Sequence, residues 1–160
     1  MTDDQELTAI ARTIVDSNSY MTLGTADADG HPWVSPVWYA PAEYKELFWV
    51  SSPDARHSRN LAARPELSIV IFDSQVRMGT GQAVYMSAVA TEAADAERER
   101  GTEIFSRRSQ AHGGRAWTLE DVEPLAPIHL YRASVSEHWV LDPDVRPDQR
   151  RPLELTQEAR

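Results

Sequence analysis

The sequence contains no cysteine. That single absence excludes disulfide frameworks, thiolate nucleophiles, iron–sulfur clusters and cysteine-ligated zinc. Lysine is nearly absent too: Lys45 is the only one among 16 basic residues, the rest being arginine. Because Lys45 lies in the turn-like stretch Pro41–Glu46, no Schiff-base or catalytic lysine is expected. Positive charge is scarce, with 16 basic against 25 acidic residues and a net charge of −9. Nucleic-acid-binding domains carry a basic face, so no such partner is expected. No apolar run approaches the roughly 20 residues that cross a bilayer, and the opening MTDDQELTAI is acidic where a secretory leader is basic. The expectation is a cytoplasmic protein without a membrane partner. The chain also lacks a Gly-x-Ser-x-Gly elbow and a P-loop, and Gly79-Thr80-Gly81 lacks the third glycine of a dinucleotide fingerprint. His31, His57, His112, His129 and His138 show no metal-ligand spacing, so no metal site is expected.

What is present describes one globular domain: 160 residues, 41% hydrophobic and 26% charged. We expect that domain over residues 1–145, with a flexible proline- and charge-rich tail over 146–160. Thr2 and Gln5 have capping-box spacing, and Leu7, Ile10, Ala11, Ile14 and Val15 then recur at helical spacing. Residues 20–26 and 32–39 read as a hairpin around Asp27-Ala28-Asp29-Gly30. Pro32 and Pro36 remove ladder donors from the second of these strands, which places it at an edge. Further strands are predicted over 46–51, 66–73, 82–92 and 128–141, the last bent near Ser134, and Ser68–Phe72 reads as buried on both faces. Helices are predicted over 55–64 and 94–110, with a short one from Thr118 capped against Asp121. Hairpin-linked strands without a βαβ alternation indicate an antiparallel barrel with helices outside, an α+β fold that is mainly β.

Two stretches carry candidate chemistry. Ser51 and Ser52 end a strand, and the following helix carries Arg56 and Arg59 one turn apart. A helix N-terminus with guanidinium groups on one face is suited to a phosphate, although a capped, solvated basic helix accounts for the same residues. The second stretch is Trp33-Val34-Ser35-Pro36-Val37-Trp38-Tyr39. Pro36 interrupts its ladder and frees backbone groups to meet a polar ring, while its aromatics also suit a core or a dimer contact. The Arg107-Arg108 pair reads as surface.

In order along the chain, YMTLGTADADGHPWVSPVWY, LFWVSSPDARHSRNLAARPELSIVIF and GQAVYMSAVATEA resemble the pyridoxamine 5'-phosphate oxidase-like flavin-binding split barrels. The later IHLYRASVSEHWVLDP resembles that family's last strands. The resemblance implies a six-stranded antiparallel split β-barrel, a homodimer with FMN at its interface, and an FMN-dependent oxidoreductase acting on a small molecule by hydride transfer at flavin N5. It implies that Ser51 and Arg56, with Ser52 and Arg59 beside them, hold the FMN phosphate, and that His57 stands where many members have a second cation. It further implies that Ser35, Pro36, Val37 and Trp38 meet the ring, that Gln82 reaches it from the partner side, and that Trp139 is a further contact. Ala40 stands where the oxidase has a lysine, and its carboxy-terminal Arg-x-His motif has no counterpart in DPDVRPDQRRPLEL. Relatives of similar fold take a deazaflavin or heme, for which His129 and His138 are the histidines considered as iron ligands. A flavin-binding protein without turnover and a cofactor-free barrel are the remaining alternatives.

Overall fold

The structure, a computed structural model, describes residues 2–155. Helix α1 (Asp4–Ser17) is started by Asp3, whose carboxylate accepts the Glu6 amide at 2.8 Å. The predicted Thr2–Gln5 box does not form, because Thr2 is buried with its hydroxyl bonded to Asp142 and Asp144. The strands are β1 (Tyr20–Ala26), β2 (Pro32–Trp38), β3 (Ala40–Ala42), β4 (Glu46–Ser51), β5 (Glu66–Phe72), β6 (Ala83–Glu92), β7 (His129–Leu141) and β8 (Arg150–Leu153). Helix α2 (Arg56–Ala63) links β4 to β5, and α3 (Asp95–Ala111) with a short 3-10 turn (Leu119–Val122) links β6 to β7.

These strands form one antiparallel sheet of order β2-β1-β5-β6-β7-β4-β3, with β8 added alongside β7. The sheet curls into a split barrel, since β2 and β3 end its strand order without pairing to each other. Pro32 and Pro36 lie on β2 at the sheet edge, as the missing donors require. The Asp27–Gly30 turn closes the β1–β2 hairpin as predicted, with Gly30 at φ 87°. A second hairpin joins β3 to β4 through Glu43 and Tyr44, at φ 52° and 59°, the left-handed geometry of a tight hairpin turn. The β7 irregularity falls opposite Ser87/Ala88, just past the predicted bend at Ser134.

Six predicted strands become eight, and β8 replaces part of the expected tail. Arg151 on β8 bonds to the Thr2 carbonyl and the Asp142 carboxylate, so Thr2 and β8 meet at one buried acid. Burial alone would raise the Asp142 pKa, but the Asp144 amide, Arg151 and Thr2 hold it at about 2. The end of the predicted tail, residues 156–160, lies outside the described residues.

One face of the sheet packs the core. Met21, Leu23, Ile69, Ile71, Val84, Met86 and Val140 meet Leu7, Ala11 and Val15 of α1 there. Burying each such side chain contributes about 1.5–3 kcal/mol. A second cluster joins Phe48, Phe105, Val122 and Leu130 under α3. A Cβ on Gly101 would lie 2.6 Å from the Phe48 ring, so α3 reaches β4 closely only with glycine at that position.

The other face is not covered by this chain. Strand pairing puts Thr22, Gly24, Val34, Pro36, Ser68, Val70, Ser87, Tyr85 and Trp139 on that side. This corrects the reading of Ser68–Phe72 as buried on both faces: β5 alternates, with Ser68 and Phe72 exposed. Arg108 is also not the surface residue predicted. Its guanidinium donates to the Val15, Asp16 and Asn18 carbonyls, a cation seated on the negative end of α1.

Candidate functional site

The expected anion site stands where β4 gives way to α2. Ala55 occupies the N-cap and offers no side-chain hydrogen bond to the helix. Ser52 Oγ accepts the Asp54 amide at 3.2 Å. The Ser51 hydroxyl and His57 Nε2 form a hydrogen bond at 2.8 Å. Burial lowers the His57 pKa, which disfavours the charged ring expected of a second cation. Arg56 is exposed and stacks over Trp33, 4.3 Å from the ring centroid. That contact brings the two predicted stretches side by side across the split between β2 and β4. Ser35 and Val37 share the inward side of β2 with Trp33, whereas Pro36 and Trp38 point to the open face. Arg59 is exposed.

The remaining predicted residues lie elsewhere. Gln82 borders a polar depression with Gly79, Asp142 and Arg146. Trp139 lies on the open face in a groove of about 500 Å3. The groove runs across six strands, and its lining includes Val34, Val70, Tyr85, Trp139 and Arg150. Gly24 and Ser68 also border it, and the missing side chain of Gly24 keeps that part low. Arg150 lies over Tyr85, 3.7 Å from the ring centroid. The sequence reading missed Val70, Tyr85 and Arg150. Their alternation was legible, but their convergence depends on a register spread over separate strands.

Both histidines considered for heme are drawn into contacts within the chain. His138 is buried, its Nε2 bonded to the Tyr44 carbonyl at 2.6 Å. Burial outweighs that bond and lowers its pKa. His129 Nε2 is hydrogen-bonded to the Ala126 carbonyl at 3.1 Å, and its buried Nδ1 lies 2.7 Å from Glu92 without a hydrogen bond. The structure also gathers potential metal ligands from Asp27, Asp29 and His31 within 4.8 Å at the hairpin turn. The Asp27 carboxylate already accepts the Asp29 and His31 amides there, so its hydrogen bonds close the turn.

Solved structures of similar fold include the heme-binding protein of Mycobacterium smegmatis, with 20% identity and TM-score 0.71 over 95% of this chain and 59% of that one. HutZ, the heme storage protein of Vibrio cholerae, aligns with 21% identity and TM-score 0.64 over 85% of this chain and 92% of its own. Campylobacter jejuni ChuZ aligns with 12% identity and TM-score 0.71 over 89% of this chain and 58% of its own. This chain thus spans about three-fifths of the M. smegmatis and C. jejuni proteins. A search of curated proteins gave no match.

These likenesses correct the sequence-derived function. The expected FMN-dependent oxidoreductase, with FMN or a deazaflavin as cofactor, does not follow from the fold, since proteins sharing it are described as heme-binding and heme-storing. The physical basis of the expectation is also weakened at α2, where the Ser51–His57 bond and the Arg56–Trp33 stack occupy groups assigned to a phosphate. Among the described residues no helix is long and apolar enough to cross a membrane. Residues 7–138 match the family model described as pyridoxamine 5'-phosphate oxidase, and with the split barrel seen above this establishes that the chain belongs to that family.

Proposed function

We propose that this protein binds a flat, carboxylated tetrapyrrole of the heme class on the open face of its sheet, with a second copy of the chain covering that face. The observation that carries the reading is the open-face groove, about 500 Å3 in volume, with Val34, Val70 and Trp139 as apolar walls and Arg150 as its cation. A tetrapyrrole needs this combination of a broad apolar contact and a cation for its carboxylates. Tyr85 is the side chain in the groove with an oxygen suited to iron, and it supplies what His129 and His138 do not. Bound heme would supply an iron centre for electron transfer or ligand exchange; the chain's own residues hold the ring, pair its carboxylates and exclude water.

Two features of the face support pairing with a second copy. Tyr20, Val34, Trp38 and Phe72 are 55%, 68%, 43% and 49% exposed, more large apolar surface than a soluble monomer ordinarily leaves in one region. Backbone groups along β2 lie at an unpaired sheet edge. The ligand class is supported by two solved structures of similar fold, a heme-binding protein and a heme storage protein.

The test is titration of the purified chain with hemin, followed in the Soret region, beside light scattering of the same samples. The expected result is a saturable spectral change from a two-chain species, weakened in Trp139→Ala and in Arg150→Gln. Hemin that gives no saturable change, or that binds both variants as well as the parent, overturns the reading.

A further inference from the structure

A serine and a histidine are paired beside the split between β2 and β4, away from the groove. Ser51 is the last residue of β4 and His57 the second of α2. Ser51 Oγ and His57 Nε2 are hydrogen-bonded at 2.8 Å, and both residues are only partly buried. The bond does not cap the helix: Ala55 holds the N-cap position and gives α2 no side-chain hydrogen bond. Burial lowers the His57 pKa, with no neighbouring charge contributing. Among the described residues no carboxylate is bonded to its ring.

A hydroxyl paired with a neutral imidazole is the arrangement that activates serine as a nucleophile. With the ring proton on Nδ1, Nε2 accepts from the Ser51 hydroxyl and is placed to take its proton. Positive charge lies beside the pair. The opening amides of α2, that of His57 among them, have no side-chain cap and carry the positive end of the helix dipole. Arg56 adds an exposed guanidinium next to them. Trp33, 4.3 Å from that guanidinium and 41% exposed, adds a flat apolar surface on which a ring can rest. Nucleophile, base, positive charge and aromatic wall thus come together at one strand-to-helix junction.

We propose that Ser51 and His57 form a nucleophile–base dyad that hydrolyses small, unhindered aryl esters. Ser51 Oγ bonds to the ester carbonyl carbon while its proton passes to His57 Nε2. The opening amides of α2 and the Arg56 guanidinium stabilise the negative charge that develops on the carbonyl oxygen. The bond from carbon to the aryloxy oxygen then breaks, and the phenoxide leaves with the electron pair and takes the proton from His57. Water next gives a proton to Nε2 and attacks the acyl-serine; that proton returns to Ser51 Oγ as the carboxylic acid departs. One water is consumed, and one acid and one phenol are formed. Because no carboxylate orients His57, turnover is slow and the acyl group on Ser51 is the direct readout. The dyad shares no residue with the groove assigned to a tetrapyrrole, so it goes beyond that assignment and stands whether or not that assignment does.

The test uses p-nitrophenyl acetate on the full chain. Release of p-nitrophenolate is followed by absorbance, and samples quenched in acid are mapped by peptide mass spectrometry. The expected result is a burst of release with one acetyl group per chain, placed on Ser51 by fragmentation. The burst should be about a hundredfold slower in Ser51→Ala and in His57→Gln. The acetyl map is read on the parent protein, so it decides the matter even if a variant proves unstable. An unmodified Ser51, with acetyl found only on the exposed Lys45 or on histidine, overturns the proposal. Release at the parental rate in both variants also overturns it, because the ester is then cleaved elsewhere on the chain.

Discussion

Strands β1 and β5 bury Met21, Leu23, Ile69 and Ile71 to within 2% exposure, yet leave Tyr20 at 55% and Phe72 at 49% on their other side, as the neighbouring β2 leaves Val34 at 68%. Alternate residues of one sheet thus have opposite roles: one set is enclosed by α1 within the chain, and the other is apolar yet left largely exposed. The inner face explains why the domain folds. The outer face carries large apolar residues that fold stability within a single chain does not require, and for that reason it is read as the working surface.

The comparison can be broken most sharply by substitution on each side. Ile69→Ala, on the buried side, is expected to lower stability by about 2–5 kcal/mol in urea unfolding. Val34→Ser, on the open side, is expected to change it by less than about 0.5 kcal/mol. A large stability loss in Val34→Ser would mean that the outer face is needed for folding itself, and the distinction would fail. For ligand binding the order reverses. Arg150→Gln should weaken hemin binding about tenfold, some 1.4 kcal/mol, whereas its melting temperature should stay near that of the parent. Tyr85→Phe sharpens the point: it should retain the ring contact but change the visible spectrum of the bound heme, because an oxygen donor is removed.

Smaller effects concern only the inner side. Asp3→Ala removes the cap of α1 and should cost about 1 kcal/mol, with no effect on hemin. Acid should act through His138, whose pKa in the fold is lowered by burial. A group of this kind binds protons more readily when unfolded, so its contribution is complete above the ordinary histidine value of 6.5 and is lost as pH falls through the lowered one. Melting temperature should therefore drop from pH 7.5 to pH 5.5, and less steeply in His138→Gln.

Much of the fold was legible where the signal is local. Asp27–Gly30 marked a hairpin, Pro32 and Pro36 marked an edge, and the Thr118/Asp121 pair formed the predicted cap. Features built from distant partners were not. The sequence Arg150–Leu153 contains charge and a proline and reads as tail, but Arg151 reaches Asp142 and the Thr2 carbonyl and so secures β8. Arg108 sits in a highly charged helix, and nothing within that helix announces the α1 carbonyls it holds. Ser68–Phe72 looked buried throughout because an apolar residue meant for a partner surface is chemically the same as one meant for a core. The Ser51–Arg59 stretch was correctly singled out as a strand-to-helix junction. The hydrogen bond between Ser51 and His57 across it depends on side-chain directions that residue spacing does not fix.

The account depends above all on what the open face holds, and crystals of the chain grown with hemin test that directly. The predicted result is a porphyrin ring lying against Trp139 and Val34, with a carboxylate at Arg150 and a second chain over the sheet. A ring bound at the β2–β4 split or on the outside of α3, with the open face left to solvent, would contradict it.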